Sequence, residues 1–246
     1  MPVPFPPDLD QHLPSPPVSL VLILLALLAA GAIAYYRSLV EQRRRRQFAA
    51  IAARLGFSFS AKDPFHMVQT LPFELFDRGR RRKVHSVVYG RSPDGCELRG
   101  FEYQYTTGSG KNSRTYRWSC ALVHTGAAWP ELTLGPESFF TKIANLVLRD
   151  DIDFESDEFN RVWEVRGADR RFASAMIDPE MMLFLLEKAE GSQIEVCEGW
   201  VLYATERQTA EFLPRAIGLA QQFCQRVPPT VWSLYPAVAP ADAAKE

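Results

Sequence analysis

The chain has 246 residues, with 28 Lys and Arg against 29 Asp and Glu, a formal net charge of −1. That balance argues against recruitment of nucleic acid by overall charge, and the length allows one or two domains. Cys96, Cys120, Cys197 and Cys224 lie far apart with no CxxC pair, so neither a disulfide framework nor a zinc site is expected.

Residues 1–17 hold seven prolines and almost no core-forming residues, and are expected to be disordered. Val18–Tyr36 follows, nineteen residues without charge or proline. As a helix it spans about 28 Å, close to the ~30 Å hydrocarbon core of a bilayer. Ala32-Ile33-Ala34 fits a signal-peptidase site, but the segment before the apolar run has no Lys or Arg and is long and proline-rich, so an uncleaved anchor is the reading. Basic residues lie only on its C-terminal side, with Arg43, Arg44, Arg45 and Arg46 in a row. The positive-inside rule then puts the N-terminus outside and everything after the anchor in the cytoplasm, as a single-pass cell-membrane protein. The four arginines are expected to contact anionic lipid headgroups. Residues 37–55 contain no proline or glycine and extend the helix as a basic juxtamembrane segment, with Phe48, Ile51 and Leu55 on one stripe.

Gly56 ends that helix and opens a cytosolic domain expected over 56–227. Phe57-Ser58-Phe59-Ser60 alternates like a short strand. Arg78-Gly79-Arg80-Arg81-Arg82-Lys83 reads as a solvated turn, or as a second contact to headgroups or an acidic partner. Strands are expected at 83–89, 97–105 and 116–124, the first two joined by the turn Ser92-Pro93-Asp94-Gly95.

The loop between the second and third strands contains Gly108-Ser109-Gly110-Lys111, like part of a phosphate loop. Tyr105 stands where a Walker A motif needs its first glycine, Asn112 where it needs Ser or Thr, and a strand follows instead of a helix. A flexible hairpin loop is the plainer reading. Gly108, Gly110, Lys111 and Arg114 remain the candidate residues for binding an anion or a partner.

A helix is expected from Pro136 or Glu137 to Leu148, then the acidic run Asp150–Glu158. Counted from Asp151, Ser156 and Val162 occupy the positions where a calcium loop needs glycine and glutamate. An extended amphipathic segment fits better, with cation binding left open. Residues 159–167 read as a strand. Asp169 caps a helix through Ile177, and Asp178-Pro179 starts another through Ala189. Gln193–Cys197 and Trp200–Thr205 form a hairpin, a helix covers 209–226, and the Pro- and Ala-rich tail 228–246 is expected to be disordered, with Trp232 and Tyr235 the residues in it able to pack back on the domain.

The run DIDFESDEFNRVWEVRG followed by DRRFASAMIDPEMMLFL resembles an uncharacterised bacterial family with an N-terminal membrane anchor and a cytosolic domain of unknown function. Its mark is an FN-x-x-aromatic-x-V segment, here Phe159-Asn160 through Trp163 to Val165, and LFDRGRRRKV and TTGSGKNSRT are similar too. The resemblance, over about residues 45–205, implies an α+β cytosolic domain and brings no activity.

No G-x-S-x-G, HExxH, dinucleotide or kinase motif is present, and His12, His66, His85 and His124 are scattered. The expectation is therefore an α+β protein: one transmembrane helix, then a mainly antiparallel sheet with helices on one face. Its expected function is that of an interaction or regulatory module. The partners are the bilayer with its anionic headgroups and a further protein, with no nucleic acid, metal, catalytic residue or cofactor. The alternative is a membrane-tethered anion- or nucleotide-binding enzyme using the Gly108–Arg114 loop.

Overall fold

A computed structural model describes residues 18–140 and 152–236. The chain divides into two compact units, Met1–Arg44 and Arg45–Glu246. In the first, the described residues belong to helix α1 (Val18–Leu55), unbroken by proline. It contains a segment long and apolar enough to cross a membrane, and leucines such as Leu22, Leu27 and Leu28 are exposed along it.

The second unit begins inside the same helix. Phe48, Ile51 and Ala52 are at most 2% exposed and form part of this unit's core. The helix ends as Gly56 turns to φ +70°, with the Phe57 N–H donating to the Ala52 carbonyl at 2.8 Å and the Gly56 N–H to Ala53 at 3.3 Å. That pairing satisfies carbonyls which a helix end otherwise leaves open. The boundary of the folded unit therefore falls about one helical segment earlier than residue 56.

The unit is built on eight strands: β1 (Ser58–Lys62), β2 (Arg80–Arg91), β3 (Glu97–Thr107), β4 (Arg114–His124), β5 (Leu132–Gly135), β6 (Glu164–Gly167), β7 (Gln193–Cys197) and β8 (Trp200–Glu206). They form one sheet in the order β1-β2-β3-β4-β8-β7-β5-β6. Every pairing is antiparallel. The α+β class with an antiparallel sheet is thus the observed one.

Alternation along the strands makes two apolar faces. Leu98, Ala121, Val123, Ile194, Val196, Val201 and Tyr203 lie on one, which carries every described helix of more than one turn in this unit that starts after the sheet begins. These are α5 (Asp157–Val162), α6 (Arg170–Met176), α7 (Pro179–Lys188), α8 (Leu213–Gln225) and α9 (Pro229–Leu234). Backbone and helix approach closely at Gly100, where a Cβ would sit 2.7 Å from Leu213 of α8. The opposite face, with Phe101, Tyr103, Tyr105, Trp118, Cys120 and Leu202, is roofed by the single-turn helices α2 (Met67–Thr70) and α3 (Glu74–Asp77) through Met67, Leu71, Phe73, Leu75 and Phe76. The remaining single-turn helix, α4, covers Glu137–Phe140, and the rest of the helix expected up to Leu148 lies outside the described residues.

Three local expectations need correction. Residues 159–162 are helical, because the Ser156 hydroxyl caps the Phe159 N–H at 3.3 Å and Asp157 and Glu158 sit in the first turn, where acids favour a helix start; only Glu164–Gly167 is strand. The chain after Pro228 is not simply a tail: α9 forms there with Val231 fully buried, and Trp232 lies 4.7 Å from the Trp129 ring. Residues 237–246 and 1–17, both expected to be disordered, lie outside the described residues. Lastly, Arg78 is not part of a solvated turn but 7% exposed, under the roof of α3.

Candidate functional site

The candidate site is the end of the sheet where β2 begins and the β3–β4 hairpin turns. Register brings two basic segments together there that are far apart in the chain. Arg80 of β2 pairs with Thr106 of β3, Thr106 with Thr115 of β4, and Lys83 pairs through Gln104 with Arg117. The predicted loop residues thus sit beside the 80–83 cluster.

The β2 register breaks between Arg80 and Lys83, and Arg81 takes φ 54°. Such a bulge interrupts strict alternation and re-aims side chains. Arg80, Arg81, Arg82 and Lys83 are consequently all exposed. Arg82 is tied down, with Nη1 3.0 Å from Asp77 Oδ1 and donating to the Phe76 carbonyl at 2.6 Å. Arg80 donates to the carbonyl of Gly108, which joins the strand cluster to the loop directly.

The loop is an ordinary hairpin connection with two glycines at positive φ, +70° at Gly108 and +55° at Gly110. Gly108 is obligatory for a second reason: a Cβ there would lie 2.3 Å from the Asn112 carbonyl oxygen. Lys111 occupies a single 3-10 turn (Gly110–Asn112), and β4 follows at once. The helix that gives a phosphate loop its dipole and its converging amides is not there. Lys111, Arg114 and Arg117 are exposed, with the Arg114 guanidinium 4.9 Å over the Tyr116 ring. The surface therefore offers Arg80, Arg81, Lys83, Lys111, Arg114 and Arg117 as exposed cations, with Asp77 and Glu206 the exposed acids on the adjoining segments. It can attract and orient an anionic surface; it has the geometry of a docking face, not of an enclosed reaction site.

Arg207, next along β8, is turned to another task. Its Nε donates to Glu102 Oε1 at 2.8 Å, and His85 Nδ1 stands 3.7 Å from the other Glu102 oxygen. Glu102 is 2% exposed, so this charge is held inside the sheet's helical face.

A second polar cluster lies on the opposite face, beneath α3. The Glu195 carboxylate accepts from the backbone N–H groups of Glu74 at 2.6 Å and Leu75 at 3.0 Å, and from the Gln193 side-chain amide. Burial, then the charge of Glu74, pushes its pKa up to about 8, against the opposing pull of Arg78. Burial also raises the Cys120 thiol and the Tyr105 phenol.

Of the other predicted positions, Arg43 is exposed on α1 in the first unit, Arg44 is half-buried, and Arg45 and Arg46 are exposed where the second unit begins. In the acidic run, Asp150 and Asp151 lie outside the described residues; Asp153, Glu155, Asp157 and Glu158 are not buried. None of the described acids in that run joins a group of three ligand atoms close enough to share an ion. The segment is organised instead by Asn160, whose side chain accepts from the Phe154 N–H at 3.1 Å and donates to the Phe154 carbonyl at 2.6 Å.

No family model and no curated protein matches the chain. In three dimensions it is similar to the crystal structure of the mycobacterial trehalose monomycolate transport factor A, TtfA, with a TM-score of 0.58 and 13% sequence identity, over 80% of this chain and 98% of that one. At that identity the likeness is one of fold: the chain shares an architecture with a mycobacterial transport factor.

Proposed function

We propose that the protein is a single-pass membrane protein whose folded unit, on the cytoplasmic side, is an interaction module without a reaction of its own. The observation that carries this reading is the convergence of the 80–83 segment and the Gly108–Arg114 loop into one exposed basic face. Such a face recognises an acidic partner by charge complementarity, which speeds encounter and sets orientation more than it adds raw affinity. The partner proposed for it is an acidic surface of another protein. The Arg43–Arg46 run is assigned to anionic headgroups, at about 1 kcal/mol per residue near a charged leaflet. A fold like that of a transport factor fits a protein that assists a membrane process by binding.

Capture of crosslinked partners from cells tests it, using the full-length protein and a variant carrying Arg80→Ala, Arg81→Ala, Lys111→Ala and Arg114→Ala. One acidic protein enriched by the wild type and lost with the variant is the expected result. Nucleic acid as the main captured species, or a partner retained by the variant, would refute the assignment. Protease added to right-side-out and inverted membrane vesicles checks orientation, with the folded unit expected to be cut only in the inverted ones.

A further inference from the structure

All four cysteines are free, and the sheet sorts them into two pairs. Cys120 and Cys197 belong to the core of the face roofed by α2 and α3. Cys96 and Cys224 lie on the face that carries the long helices, where the β2–β3 turn meets α8. Alternation along the strand and the pitch of the helix bring them there together. Gly100, Leu98 and Cys96 share one side of the chain at the start of β3. A Cβ on Gly100 would meet Leu213 and Ile217 of α8, and Leu98 lines a groove with Ile217 and Gln221. Cys224 follows Ile217 by two turns on the same stripe. Four residues of strand cover about 13 Å and seven of helix about 10 Å, so β3 and α8 run alongside each other from the Gly100 contact to the two cysteines.

Both thiols line one cavity of about 160 Å³, together with Val123, Gln221 and Trp232. They are near enough that charge on Cys96 acts on Cys224, while burial pushes the Cys224 thiol up. Cys96 is half-buried and closes the turn Ser92–Cys96, its N–H donating to Ser92 Oγ at 3.1 Å. His124 also borders the cavity, but its ring packs 4.6 Å from that of Trp200, which belongs to the core of the opposite face. Among the described residues, the reactive groups of this cavity are therefore the two thiols.

We propose that Cys96 and Cys224 are a redox modification site, in which hydrogen peroxide forms a reversible disulfide that ties the β2–β3 turn to the C-terminal end of α8. The Cys96 thiolate attacks the peroxide and breaks its O–O bond. One oxygen stays on sulfur as a sulfenic acid, and the other leaves as hydroxide and takes up the thiol's proton. The Cys224 sulfur then displaces the sulfenic hydroxyl, and its own proton leaves with that hydroxide as water. Two thiols lose two electrons, and one peroxide becomes two waters. Burial of Cys224 assigns the first attack to Cys96, since the thiolate is the nucleophile. A transient disulfide of this kind is the sort that a reducing compartment permits. It closes more than half of the chain into one loop, where a crosslink restricts the unfolded state most. The site lies at the opposite end of β3 from the exposed basic face and does not depend on the role assigned there.

The full-length chain, purified in neutral detergent under reducing conditions, is moved to thiol-free buffer and treated with a small excess of hydrogen peroxide. Free thiols are then blocked in denaturant, and the digest is mapped by mass spectrometry without reduction. A Cys96–Cys224 linked peptide is expected, with Cys120 and Cys197 recovered as blocked thiols. Oxidation is expected to raise Tm by roughly 5–15 °C, and dithiothreitol to reverse the rise. Cys96→Ser should abolish both the linked peptide and the shift. Cys224→Ala should also abolish them, and should leave Cys96 as a sulfenic acid that dimedone traps. If Cys224→Ala does not fold, Cys96→Ser decides the matter, because its side chain is half-buried at a turn. The proposal is overturned if the linked peptide does not form, if peroxide joins separate chains instead, if the bond forms with Tm unchanged, or if the shift survives Cys96→Ser.

Discussion

Glu195 ties the roof over the sheet to strand β7, and its protonation makes stability depend on pH. Its pKa is about 8 in the folded chain against 4.5 for the free side chain, because burial and Glu74 disfavour the charge. The folded state therefore binds more protons than the unfolded one between these values. The favourable contribution is fully present below about pH 4.5 and is lost as pH rises through about 8. Urea midpoints taken from pH 5 to 8.5 are expected to fall from this source. In Glu195→Gln the slope should flatten. The same variant should be less stable at pH 6 by about 1–3 kcal/mol, since its amide turns an N–H toward the donors at Glu74 or Leu75. A variant with an unchanged pH slope would show that Glu195 does not carry the effect. At Gly100 the constraint is space alone: Gly100→Val forces a branched side chain into Leu213 and Ile217, and a loss of about 1–3 kcal/mol is expected by the same measurement.

Elements that carry their own punctuation were readable from sequence. Asp169 and Asp178 cap α6 and α7 as expected, accepting from Phe172 at 3.0 Å and Met181 at 2.8 Å, and β2, β3, β4, β7 and β8 follow their alternation. What escaped was decided at longer range or by competing local chemistry. The Phe159–Val162 turn has enough β-branched and aromatic character for a strand, but the Ser156 cap overrides it. Arg78 sits in a run of cations whose composition says solvent; only the packing of α3 on the sheet puts it inside. The two halves of the basic face were each visible as sequence clusters, yet their meeting depends on the register of Arg80 with Thr106, which no local pattern specifies. Asn160 is the corresponding device for the acidic segment. Asn160→Ala removes both bonds to Phe154, and faster amide exchange at Phe154 with about 1–2 kcal/mol lost stability is the expected outcome. Unchanged exchange there would mean that the segment is held by other contacts.

At the scale of the whole molecule, the folded unit starts at Arg45 and not at the glycine that ends the helix. A fragment of residues 45–246 keeps Phe48, Ile51 and Ala52 in the core, whereas one of residues 57–246 removes them and exposes the surfaces they cover. The shorter fragment is expected to be less stable by about 3–6 kcal/mol, from two large side chains and an alanine at the usual return for burial. Equal urea midpoints for the two fragments would contradict the placement of that boundary.

The strand order also governs how the chain must be made. β8, the last strand to leave the ribosome, hydrogen-bonds on one side to β4 and on the other to β7, in the middle of the sheet. Until it arrives, the β1–β4 meander and the β5–β7 group are separate pieces, each with an open edge able to pair with the wrong neighbour. Synthesis at about 5–20 residues per second leaves the meander waiting for several seconds after His124 has been added. Premature termination before Trp200 therefore leaves two unjoined half-sheets, while loss of residues beyond Leu234 spares every strand. The nascent chain is therefore most exposed to mispairing in the interval after the β1–β4 meander has been translated and before its central strand follows.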